Sequence, residues 1–125
     1  MAGPVDQDLG GVFFLSAVFI MGLFIVLAVK YFRAPSTPVV VAVRYGAAAC
    51  FIAFGIGLLM SAITIRQVGE AGNLLVLHAA GFHGIQAVPF VALLLHWARA
   101  DRSTSGPLVH LAGLTWLGAC LAIAW

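Results

Sequence analysis

Four long apolar runs, over residues 12–32, 39–65, 73–97 and 108–125, constrain this chain more than any other feature. A helix rises about 1.5 Å per residue and the hydrocarbon core of a bilayer is about 30 Å thick, so about 20 mainly apolar residues suffice to cross it. Inside lipid a backbone must satisfy its own hydrogen bonds, which leaves helices and closed barrels, and these runs lack the alternation of a barrel strand. The sequence therefore predicts an all-α integral membrane protein in contact with the lipid bilayer. The expected architecture is a single domain over residues 1–125, a four-helix transmembrane bundle with antiparallel neighbours.

Composition excludes the alternatives. Only 8% of the 125 residues are charged and 63% are apolar, against roughly a quarter charged in an ordinary globular protein. No soluble fold could cover that much apolar surface. The net charge of +2 is small and scattered, which speaks against nucleic acid as a partner. Cys50 and Cys120 both fall inside apolar runs, where a thiol acts as a small hydrophobe and implies no disulfide framework. The first eleven residues hold Asp6 and Asp8 but no Lys or Arg, unlike a signal peptide, so the first run is expected to persist as a helix.

Orientation follows from the basic residues. The connections at 33–38, 66–72 and 100–106 are short and rich in Pro, Gly or polar residues, and all four acids, Asp6, Asp8, Glu70 and Asp101, fall outside the runs. Lys30, Arg33 and Arg44 surround the first connection and Arg99 and Arg102 the third, while Arg66 alone stands at the second. The positive-inside rule then puts the first and third connections in the cytoplasm and both termini outside, as in a bacterial inner membrane protein. Arg44, a few residues into its span, is expected to snorkel back to the interface. Gly and Ala at 46–49, 53–57 and 113–118 predict close helix contacts, because association in lipid depends on packing.

Polar residues enter the apolar interior as a group only in the third run, at His78, His83 and Gln86. Intramembrane ionisable groups are expensive and mark sites or helix contacts. At about 100° per residue the two histidines lie about 140° apart with Gln86 between them, one broad face, and Gly81 and Gly84 fall on roughly the opposite side. Pro89 removes the usual partner of the Ile85 carbonyl; this predicts a kink, with Gln86 or a nearby hydroxyl as the group that repairs it. If the span starts near Asn73, His83 sits about 15 Å below the outer boundary. Met60, Ser61 and Thr64 of the second span and Cys120 of the fourth fall in the same outer half. His96 and His110 belong near the inner boundary, as interfacial polar residues.

His78, His83 and Gln86 are thus the candidate cofactor-binding residues, with His78, His83, Met60 and Cys120 as candidate metal ligands. Imidazole ligates haem iron and transition metals, and soft sulfur suits Cu(I). Haem b within this chain alone is disfavoured, since both deep histidines lie on one helix. A haem shared with a partner, a quinone, proton transfer, or hydrogen bonds to other helices all fit the same residues. No Ser-His-Asp set, paired carboxylates or phosphate loop is present, so catalysis by the chain alone is not expected.

The segment His78-Ala-Ala-Gly81-Phe-His83-Gly-Ile-Gln86-Ala-Val-Pro89 resembles one found in uncharacterised bacterial multi-span membrane proteins that read H-x4-H-x2-Q-x2-P. The following span, from Leu108 through Gly113 to Trp116, is loosely similar to the helix that follows the motif there. Those proteins commonly enter the motif through Gly-Asp-Leu-Arg, whereas this chain has Ala71-Gly-Asn73-Leu. The resemblance implies that the His, Gln and Pro spacing is a unit and carries no activity with it. The expected function is a small accessory subunit of a larger membrane complex, redox or energy-converting, which meets other subunits or itself. A self-contained haem- or copper-handling protein is the alternative.

Overall fold

The computed structural model describes residues 4–63, 67–68 and 72–124. In chain order they form α1 (Pro4–Arg33), α2 (Pro38–Ile63), a two-residue strand β1 (Gln67–Val68), its partner β2 (Gly72–Asn73), α3 (Leu74–Trp97) and α4 (Arg102–Ala124). All four helices are long and apolar enough to cross a membrane. Thr64, Ile65, Arg66, Glu70 and Trp125, which the sequence reading used for the second connection and two span ends, lie outside the described residues. The chain divides into two compact units, residues 1–33 and 34–125.

The first unit is the single helix α1. It starts at Pro4, eight residues before the expected span, and its backbone takes in Asp6 and Asp8, which stay outside the stretch Leu9–Arg33 that is apolar enough to cross a membrane. Proline is at home in the first helical position, where its missing N–H costs no bond. Lys30 and Arg33 occupy the last turn, the end of the helix dipole that favours cations. Ser16 satisfies itself by donating to the Val12 carbonyl at 2.8 Å, so the apolar stretch needs no external polar partner.

In the second unit α2 packs along α3, and α4 packs against both. The buried residues of α2 are Ala42, Gly46, Ala47, Ala49, Cys50 and Ala53, and those of α3 are Leu74, Leu77, Gly81, Gly84, Val88 and Ala92. Steps of three and four residues keep each set on one stripe. The α2 stripe and the middle of the α3 stripe, at Gly81 and Gly84, are made of small residues because lipid offers no hydrophobic drive for helix association, leaving van der Waals contact at short range. A Cβ on Gly81 would stand 2.7 Å from the Ala49 carbonyl oxygen and from the Ala53 Cβ, and one on Gly46 would stand 2.7 Å from the Ile85 Cα. Gly113 serves a ring instead of a backbone, since its face is covered by Tyr45. Gly55 and Gly118 meet nothing within 4 Å, so the expectation of close contact fails at these two.

Three helix ends show how local bonds set the boundaries, and two of them differ from the expected spans. First, α4 begins at Arg102, inside what reads as a polar connection, because Asp101 caps it. The carboxylate accepts from the Thr104 N–H at 3.3 Å and from the Ser103 hydroxyl, and the Asp101 carbonyl accepts from both the N–H and the hydroxyl of Ser105 at 2.9 Å. These side-chain bonds hold the Asp101 carboxyl below its usual range. Second, the connection between α2 and α3 contains a short antiparallel pairing, Gln67 with Asn73 and Val68 with Gly72. Asn73 then caps α3, its Oδ1 accepting from the N–H groups of Leu75 and Val76 at 3.1 Å, so the helix proper starts one residue later than expected. Third, α3 closes with Arg99 at φ 54°, a left-handed position usually left to glycine, while the Ala100 N–H reaches the Leu95 carbonyl at 3.0 Å.

Candidate functional site

The three polar residues of α3 do not share one environment. His78 turns toward α2 and donates from Nδ1 to the Ala53 carbonyl at 2.7 Å. A carbonyl only accepts, so the proton is on Nδ1. Its ring packs edge-on against Phe82, with centroids 4.8 Å apart. It also lies against Gly57, where a Cβ would stand 2.7 Å from the imidazole Cε1. Gly57 therefore makes the space that lets a histidine reach the neighbouring backbone.

His83 and Gln86 lie on the outside of the helix, both exposed. They bond to each other, Nδ1 of His83 to Oε1 of Gln86 at 3.1 Å. The amide oxygen accepts, so Nδ1 donates and the lone pair of Nε2 is left facing out. Among the described residues, neither His83 Nε2 nor the Gln86 amide nitrogen has a hydrogen-bond partner. The pair borders a shallow groove of about 500 Å³ whose other walls are Ala87, Phe90 and Trp116.

The division has a simple angular cause. Around α3, His78 lies about 60° from Gly81, at the edge of the stripe that meets α2, whereas His83 lies about 160° from it. The broad face expected from the sequence is split by the seam. Pro89 lies within the unbroken α3. Gln86 is turned to His83, and no side chain among the described residues donates to the Ile85 carbonyl, so the expected repair by Gln86 or a hydroxyl is not made.

Met60 and Cys120 are placed elsewhere. Cys120 is buried with Leu74 and Leu77, and Met60, Ile56 and Trp116 pack against that cluster. Among the described residues no group of three or more His, Cys, Asp or Glu side chains is placed to hold a metal ion. Ser61 is exposed near the end of α2. The two shallower histidines also differ: His110 pairs through Nδ1 with the Tyr45 hydroxyl at 2.9 Å, and exposed His96 borders a pocket at the far end of α3. Arg44 reaches back as expected, donating to the Ala34 carbonyl at 2.6 Å and to Ser36 Oγ at 3.0 Å.

Trp116 is the residue that the sequence reading passed over. It lies against both apolar clusters of the unit, fills the space in front of Gly84, and donates from Nε1 to the Ala80 carbonyl at 3.2 Å. A signal existed: tryptophan favours the membrane interface, so one in mid-span asks for a hydrogen-bond partner. No protein family, no curated protein and no solved structure matches the chain.

Proposed function

We propose that this chain is a small accessory subunit of a larger membrane complex, and that the His83–Gln86 pair is its point of contact with a partner subunit. The observation that carries this reading is an exposed pair of polar side chains on a helix apolar enough to cross a membrane, with an imidazole acceptor and both N–H donors of the amide left over among the described residues. In lipid no water reaches such groups, and a bond across to another helix is worth about 0.6 to 2 kcal/mol. The groove beside the pair, walled by Phe90 and Trp116, has the shape to receive an apolar helix that brings a matching polar group.

The finer topology belongs to the same proposal. In the second unit α2 and α3 run antiparallel, supported by contacts that pair Gly46 with Ile85, Ala49 with Gly81, and Gly57 with His78, in opposite order along the two helices. Both termini face outward and the ends bearing Arg44, Arg99 and Arg102 face the cytoplasm of a bacterium. Cysteines introduced at Ser36 and Ser103 are then blocked to an impermeant reagent in intact cells; labelling of both overturns the orientation.

In mild detergent the native chain should migrate within a larger assembly. His83→Leu should dissociate it, whereas His96→Leu, near the end of α3, should not. A native chain that runs as a functional monomer, or two substitutions that leave migration equally unchanged, removes the reading.

A redox or energy-converting complex is the setting that His83 favours, because Gln86 fixes the tautomer that presents the Nε2 lone pair, which a haem iron, a copper ion or the hydroxyl of a reduced quinone would meet. Such a cofactor would sit between subunits. Visible absorption and metal analysis of the gently solubilised assembly test this: a spectrum without a haem band, and no copper, restricts the pair to protein, quinone or proton contacts.

A further inference from the structure

At the opposite end of α3 from its Asn73 cap lies a second pocket, of about 370 Å³, bordered by Thr37, Val39, Ala92, His96, Arg102 and Ser105. We propose that it binds the phosphate of an anionic phospholipid headgroup. Arg102 supplies the charge. Among the described residues its one hydrogen bond is a long one, Nη2 to the Ser36 carbonyl at 3.4 Å, and no carboxylate of theirs lies within ion-pair distance of it. The nearest acid in sequence, Asp101, is occupied with Ser103 and Thr104 as the cap of α4. A guanidinium with most of its five N–H donors unspent is suited to the two oxygens of a phosphodiester.

The rest of the pocket fits the same ligand. Thr37 Oγ1 accepts from the Val40 N–H at 3.3 Å, which leaves its hydroxyl proton to donate, and His96 adds an imidazole donor or acceptor at the rim. The helix α2 begins here, at Pro38, so the positive end of its dipole points to the pocket, whereas that of α4 is already capped by the Asp101 carboxylate. Val39 and Ala92 form an apolar wall on which the glycerol and the first acyl carbons can lie. The pocket is at the ends of helices able to cross a membrane, the depth at which lipid phosphates lie. Ser36, whose carbonyl meets Arg102, also receives Arg44 on its hydroxyl, so two guanidinium groups converge on one residue. Positive charge concentrated in this way favours an anion nearby and disfavours a headgroup carrying its own ammonium.

The full chain, delipidated in detergent, tests the assignment by native mass spectrometry with phosphatidylglycerol, phosphatidylcholine and inorganic phosphate. Phosphatidylglycerol should be retained at least about tenfold better than phosphatidylcholine, and Arg102→Gln should weaken it by about tenfold. Arg99→Gln removes an equal charge outside the pocket and should change retention less than about twofold. Val39→Trp, which fills the pocket without touching its charge, should reproduce the Arg102 loss and covers the case in which Arg102→Gln does not fold. Equal retention of both lipids, or equal losses from Arg99→Gln and Arg102→Gln, overturns the proposal in favour of general surface charge. Inorganic phosphate held as tightly as the lipid overturns the lipid assignment.

Discussion

His78 and His83 stand five residues apart on one helix and meet opposite fates. His78 is tucked against α2, its proton given to the Ala53 carbonyl and its ring seated on Gly57. Among the described residues His83 is bonded to Gln86 alone, on its own helix, and is exposed. The same side chain is thus a cross-brace between helices in one case and an open valence in the other. What separates them is the angle to the small-residue stripe, because only a ring at its edge can reach a neighbouring backbone.

The sharpest way to break this comparison is to remove the stripe. Gly81→Val puts carbon atoms where the Ala49 carbonyl and the Ala53 Cβ already stand, and should cost about 3 kcal/mol or more in detergent unfolding. Gly118→Val, on a surface with nothing within 4 Å, should change stability by less than about 0.5 kcal/mol. If both substitutions are tolerated equally, the seam is not what holds α2 to α3.

The second test sets the histidines against each other directly. His78→Leu abandons the bond to Ala53 and forces a branched side chain onto Gly57, and should destabilise the isolated chain by about 1 to 2 kcal/mol. His83→Leu should leave the isolated chain unchanged within about 0.5 kcal/mol and act only on assembly. Equal losses of stability in the isolated chain would place both rings in the same structural role.

The smallest effect extends the contrast to a polar group that water can reach. Asp101 is held below its usual range by Ser103 and Thr104, so the folded form binds its proton less readily than the unfolded one. Its stabilising contribution is complete above the unfolded carboxyl pKa and is lost as pH falls through the lower, folded value. A melting profile should dip slightly on the acid side of the ordinary carboxylate range, and Asp101→Asn should remove that dip. Because the side chain is fully exposed, the shift should be well below that of His78→Leu.

Much of the fold was legible in advance because the solvent dictates it. Four runs of sufficient length and apolarity leave a backbone in lipid one inexpensive state, and the structure contains the four helices. Ends were less legible. Asp101, Ser103, Thr104 and Ser105 read as a connection because their composition is polar, yet polarity is what a helix start needs to satisfy its free N–H groups. The pairing of Gln67 with Asn73 had no signal in strands two residues long.

For the candidate site, the chain alone determined which residues stand out: polar groups cannot be scattered through a span without cost, so His78, His83 and Gln86 were conspicuous, and the helical repeat fixed the angles among them. The repeat says nothing of where a neighbouring helix will lie. That direction was chosen by Gly46, Ala49, Ala53, Gly81 and Gly84, residues without functional groups, through the distance at which two backbones can touch. Only their packing turned His78 inward and left His83 facing out. It also carried Met60 and Cys120 into an apolar cluster, and gathered Thr37, His96 and Arg102, from three separate parts of the chain, around one pocket.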